Sequence, residues 1–223
     1  MASSGLTSQG HPSDLLLRDS AVLREVLEGD ISRIDPVSGR SFLRPFLILL
    51  AGLPGTGKTH FARELANRVP LLILESDRLR KVLAPQPGYT PAESARLFGA
   101  CHLLIEEYVA QGHRVLFDAT NLTEKFRRPI YQIARRASCP LVLVRFTAPR
   151  EMVRRRLAER VAGVHPEDYS DAGWQIYCRM APHEEAVKRQ HFDVDTSQET
   201  CTVLEEVVRL VRAGDGAVRA GPK

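Results

Sequence analysis

Apolar residues fall along this 223-residue chain in two rhythms. Short apolar runs at residues 46–50, 70–75, 114–118 and 141–147, with a weaker one at 191–197, have the composition of strands buried on both faces. Between them apolar positions recur three and four apart. This spacing predicts helices just after residue 58 and over 91–111, 123–138, 149–161, 171–180 and 203–211. Pro91 and Gly112 mark the start and stop of the longest, Thr123 caps the next, and Pro149 opens the one after it. Strands alternating with helices predict a parallel sheet covered on both faces, with right-handed crossovers.

The flanks read differently. Residues 1–13 are small and polar, which predicts disorder. In residues 14–28, Leu16, Leu23 and Leu27 with Val22 and Val26 recur at helical spacing, predicting a helix that packs on the main domain. Residues 29–44, with Pro36 and Gly39, read as loop. Residues 162–170 read as a mobile connection, and fraying is expected from residue 213. The expected division is an extension over 1–44, one α/β domain over 45–213 and a flexible tail over 214–223.

The strand at 46–50 runs into GLPGTGKT, residues 52–59, and the pattern resumes as a helix with Phe61, Ala62, Leu65, Ala66 and Val69 on one face. The turn fits G-x-x-x-x-G-K-[ST] at every fixed position. Glycines let successive backbone N–H groups turn inward around phosphate oxygens, and the following helix aims its positive end at the same place. The expected nucleotide-binding set is Gly52, Leu53, Pro54, Gly55, Thr56, Gly57, Lys58, Thr59 and His60. In it Lys58 adds a full charge at the outer phosphates, and Thr59 offers its hydroxyl to Mg²⁺.

Composition narrows the class. The formal charge is only +4, yet 26 of the 31 basic residues are arginine, the side chain that grips phosphate in a planar fork. Four cysteines, at 101, 139, 178 and 201, lack metal-ligand or redox-motif spacing and read as reduced thiols of an intracellular protein. No apolar run is long enough to span a bilayer and no leader pattern opens the chain, so a cytoplasmic protein is expected.

Ligands gather at the carboxyl ends of parallel strands. Asp118 ends the third strand, where a carboxylate holds Mg²⁺ directly or through water; helix capping is its plainer reading. Asp77 follows the second strand and suits the proton of an acceptor hydroxyl, with Arg80 one turn later on the same face; Ser76 or Asp77 capping the next helix is the alternative. In the 149–161 helix Val153, Leu157 and Val161 make the buried stripe, Arg160 falls within it and Arg156 at its edge, while Arg154 and Arg155 point outward. An inward arginine needs an anion, either a structural carboxylate or the triphosphate. The helix starts near the ligand edge, which favours the triphosphate.

These motifs together resemble the small P-loop kinases that include polynucleotide kinase, zeta-type toxins, chloramphenicol phosphotransferase, gluconate kinase and bacterial "predicted kinase" proteins. The resemblance covers roughly residues 46–197 and rests on GLPGTGKT, the D-x-x-R of Asp77 and Arg80, FDATN ending in Asn121, the R-x-x-x-R of Arg156 and Arg160, and SDAGW at 170–174. It implies a three-layer α/β P-loop NTPase fold with a five-stranded parallel sheet of order 2-3-1-4-5. It further implies that Asp77 activates the acceptor hydroxyl beside Arg80, that Arg156 and Arg160 belong to a lid, and that Thr120 and Asn121 lie on the substrate side. No N-K-x-D guanine reader is present, so ATP with Mg²⁺ is the expected pair. The implied activity is transfer of the γ-phosphoryl to a hydroxyl. Aromatic residues are few, so a small-molecule acceptor is favoured over a nucleic-acid 5′ end. A nucleotide-dependent switch without an acceptor is the competing reading, and the Asp77–Arg80 pair argues against it.

Overall fold

The computed structural model describes residues 12–34, 44–164 and 168–216. The expectations for residues 1–11, 35–43, 165–167 and 217–223 lie outside the described residues. Strand β1 (Phe46–Ala51) is buried at every position and occupies the centre of a five-stranded sheet. The sheet order is β2-β3-β1-β4-β5, with β2 spanning Leu72–Glu75, β3 Arg114–Asp118, β4 Leu141–Thr147 and β5 Phe192–Asp195. Every pairing is parallel, as the implied 2-3-1-4-5 order requires.

Side chains alternate across a strand, so β1 feeds two cores. Leu47, Leu49 and Ala51 face one cluster with Phe117 and Leu74; helices α1 (Pro12–Ile34), α3 (Ser76–Leu83), α4 (Pro91–Ala110) and α5 (Glu124–Arg136) cover it. Phe46, Ile48 and Leu50 face the other, closed by α2 (Lys58–Ala66) and α8 (Cys201–Gly216). Helices α6 (Arg150–Val161) and α7 (Trp174–Met180) stand at the ligand edge. No helix among the described residues is long and apolar enough to cross a membrane.

Several boundaries differ from expectation. Helix α1 does not stop at Gly29 but continues to Ile34. A Cβ added at Gly29 would meet nothing within 4 Å, so the glycine costs only its backbone entropy, while Ile31 packs on the core and Asp30 pairs with Arg78. Helix α7 starts at Trp174 rather than Asp171, because the Asp171 carboxylate is engaged by Lys81 and Tyr89. Thr123 occupies the position before α5 without a side-chain bond; the Glu185 carboxylate takes the Glu124 N–H instead, at 2.7 Å. Val161 is 75% exposed, so the buried stripe of α6 ends at Leu157.

Candidate active site

Tight packing sets the phosphate loop's shape. At Gly52, φ is 147° and an added Cβ would lie 2.6 Å from the Phe146 carbonyl oxygen, so only glycine fits. The Gly52 N–H donates to the Thr120 carbonyl at 2.9 Å, which ties the loop to the end of β3. Gly57 precedes α2 with φ 92°, and there a Cβ would press on Thr196, 3.0 Å away. Leu53, Pro54 and Thr56 are buried; Thr56 donates its hydroxyl to the Leu53 carbonyl at 2.7 Å, while His60 is exposed on α2.

The Lys58 ammonium donates to the carbonyls of Gly52 and Leu53, each at 2.9 Å. Two of its three donors are thus used inside the loop and one remains for a phosphate oxygen. Burial pushes its pKa down, and the carboxylates of Asp118 and Asp77 push it back up. Thr59 donates its hydroxyl to Asp118 Oδ2 at 2.7 Å. Burial raises the pKa of Asp118, and Lys58 followed by Thr59 opposes the rise. A hydroxyl and a buried carboxylate joined in this way, beside an ammonium, are hard oxygen donors of the kind Mg²⁺ takes together with nucleotide phosphates. The donor set therefore fits the metal.

Beside the phosphate loop, on the far side of β3, β2 passes directly into α3. Glu75 holds the position before the helix without a capping bond, so neither Ser76 nor Asp77 is the cap. Glu75 stands in register with Asp118, and its pKa is pushed up to about 7, first by burial and then by the Asp118 charge. The Asp77 carboxylate has no hydrogen-bond or ion-pair partner among the described residues, yet its charge is felt at Lys58, Glu75 and Asp118. Arg80 turns to α4: its guanidinium meets Glu93 at 2.6 Å and Ser94 at 3.4 Å and lies 5.0 Å above the Tyr89 ring. Asn121, in a left-handed conformation with φ 46°, spends its amide on the carbonyls of Leu50 and Ala119, at 2.7 and 3.4 Å. That amide holds β1 to the turn after β3, and Thr120 contributes its backbone carbonyl to the loop.

The two α6 arginines have separate partners. Arg156 donates to the Gly55 carbonyl at 3.3 Å, and to the Thr196 hydroxyl and carbonyl at 2.7 and 3.1 Å, so it clips the phosphate loop to the end of β5. Arg160 meets a structural carboxylate, Asp168, at 2.6 Å and the Ala172 carbonyl at 3.2 Å. Its charge still reaches Lys58, lowering that ammonium's pKa. Arg154 points outward as expected, exposed on α6, and its guanidinium lies 5.8 Å over the Trp174 ring.

Arg127 escaped the sequence reading. It is 1% exposed and donates to the carbonyls of Asn121, Leu122, Glu185 and Ala186, fastening the segment before β5 to the turn after β3. The available signal was Glu124 three residues upstream, on a face continued by Ile130 and Ala134.

Comparison with known proteins follows the same lines. Residues 47–177 match the family AAA_33, an AAA domain. The gluconokinase of Gluconobacter oxydans (strain 621H) is 27% identical over 180 residues, which cover 78% of this chain and 95% of that protein. The Mycobacterium tuberculosis APS kinase CysC, in complex with AMPPNP and APS, superposes with a TM-score of 0.59 at 18% identity, over 76% of this chain and 99% of its own. Chaetomium thermophilum Kti12, in complex with ADP-AlF3, gives a TM-score of 0.58 at 19% identity, over 75% of this chain and 98% of its own. At such identities the solved structures speak for the fold alone. The family match spans more than half of the chain, and with the phosphate loop at its head the chain belongs to AAA_33, a P-loop kinase domain family.

Proposed function

We propose that the protein transfers the γ-phosphoryl of ATP, with Mg²⁺, to a hydroxyl group of a small molecule. The observation that carries this reading is Asp77, a carboxylate without a hydrogen-bond or ion-pair partner among the described residues, whose charge reaches both Lys58 and Asp118. A switch protein needs no such group. In this reading Lys58 holds the outer phosphates, and Thr59 and Asp118 hold the metal, which supplies neutralisation of phosphate charge when bound. Asp77 orients the acceptor hydroxyl and takes its proton. Arg80, kept in place by Glu93, forms the acceptor wall with Thr120, and Arg160 stabilises charge on the group in transit. Similarity to a gluconokinase brings polyhydroxy acids to the head of the candidate acceptors.

The test is a transfer screen with labelled ATP over D-gluconate and other polyhydroxy acids, nucleosides, aminoglycosides and oligonucleotide 5′ ends. Transfer to one acceptor that is lost in Asp77→Asn supports the kinase. ATP turnover that no acceptor alters would sink it in favour of the switch.

A further inference from the structure

Helix α1 lies outside residues 47–177, yet it is built into the acceptor half of the site. Its Leu23 and Leu27 are 0% exposed and share a core with Leu79 of α3 and Leu97 and Leu104 of α4. Gly99 of α4 makes room for Leu16, whose Cδ1 would lie 2.9 Å from an added Cβ. Two forked ion pairs fasten α1 to the acceptor helices. Asp30 takes the Arg78 guanidinium at 2.6 and 3.1 Å, and Asp19, 5% exposed, takes that of Arg96 at 2.7 and 2.8 Å. Asp19 also lines, with Arg80, Glu93 and Arg96, a small cavity of about 30 Å³ between α1, α3 and α4.

Helix α3 needs such support. It has eight residues and no side-chain bond at its N-terminus, and a helix that short does not hold itself in water. Packing and the partners of its side chains therefore decide where it sits. Arg78 is the residue directly after Asp77, and a forked guanidinium–carboxylate pair fixes direction as well as distance. The phosphate loop is held by other elements: β3 through Thr120, α6 through Arg156, and Thr196.

From this division we infer that α1 braces the acceptor side, with Asp30 acting through Arg78 as a positioning residue for Asp77. The inference rests on the phosphotransfer reading only for its kinetic consequence. Loosening the brace is felt in α3 and in acceptor handling, while nucleotide binding is untouched.

The test uses the full chain with Asp30→Ala, Asp30→Glu and the charge swap Asp30→Arg with Arg78→Asp. Hydrogen exchange is followed over residues 76–83 and 46–66, Mg²⁺ with a non-hydrolysable ATP analogue probes the nucleotide side, and D-gluconate is the acceptor. In Asp30→Ala, exchange over 76–83 should quicken by about tenfold or more while 46–66 stays within about twofold. Analogue affinity and the KM for ATP should hold, kcat/KM for D-gluconate should fall by about tenfold, and Asp30→Glu and the swap should recover most of both losses. Unchanged exchange over 76–83, or equal quickening across both segments, overturns the inference. If the wild-type chain passes nothing to D-gluconate, the failure belongs to the acceptor choice, and the exchange comparison decides alone.

Discussion

Thr59 Oγ1 donates to Asp118 Oδ2 at 2.7 Å, joining the first turn of α2 to the last residue of β3 across the sheet edge. The pair brings a hydroxyl and a carboxylate to one point beside Lys58. Asp118→Asn keeps the size and the hydrogen bond but removes the charge. Mg²⁺-dependent binding of an ATP analogue, followed by calorimetry, should weaken by roughly 10- to 100-fold, while metal-free binding changes little. Equal Mg²⁺ dependence in variant and wild type would take Asp118 out of the metal site.

The Asp77 carboxylate has no hydrogen-bond or ion-pair partner among the described residues, so replacing it should cost little stability. Asp77→Asn should melt within a degree or two of wild type, an order-of-magnitude expectation for a partially exposed residue without partners. ATP-analogue affinity should persist, because Lys58, Thr59 and Asp118 are intact. Transfer to the true acceptor should fall by roughly 10² or more, the usual contribution of a positioned base. Loss of folding or of analogue binding would instead make Asp77 structural or a metal ligand.

Glu75 carries a pH signature. Its folded pKa of about 7 lies above the ordinary carboxylate value of 4.5, so the folded state holds a proton that the unfolded chain releases. The stabilising effect is complete below the unfolded pKa and lost as pH rises through 7, amounting to at most about 3 kcal/mol. Asp118, also raised by burial, adds a loss of the same sign. Metal-free melting temperature should therefore decline between pH 4.5 and 7, and Glu75→Gln should flatten much of that decline. A decline identical in both proteins would show that Glu75 is not its source.

If Arg160 meets a phosphate as proposed, its pairing with Asp168 and the Ala172 carbonyl has to adjust. Adding an ATP analogue with Mg²⁺ should slow exchange over residues 150–164 and 168–172 and change the emission of Trp174, the one tryptophan of the chain. Trp174 stacks on Tyr177 with ring centroids 5.0 Å apart and lies under Arg150 and Arg154, so it reports movement of α6 against α7. Protection confined to the phosphate loop would leave the α6 arginines with the structural role their present partners give them.

The phosphate loop was legible because backbone geometry, which glycine spacing encodes directly, does most of its work. The sheet was legible because buried parallel strands read as apolar runs. Side-chain partners supplied by distant segments were not. Arg127 looks like its exposed neighbour Arg128 in sequence, and only the fold brings four carbonyls to it. Asn121 in FDATN invites a substrate role, yet its amide faces the Leu50 carbonyl. Helix α1 outran Gly29 because Asp30 and Ile31 found Arg78 and the core, contacts that local propensity does not contain.

The Thr196 hydroxyl donates to the Thr56 carbonyl at 3.1 Å, and this tie has a consequence for synthesis. A ribosome releases the chain in order, so the phosphate loop emerges long before β5 and the residues that close over it. Arg156, which grips both Gly55 and Thr196, has no second anchor in such a partial chain. Stalled chains ending before residue 192 should be captured poorly by immobilised ATP, and chains extending past α8 should be captured well. On that outcome nucleotide would stabilise the completed sheet rather than guide its early folding, and good capture of chains ending before residue 192 would overturn this.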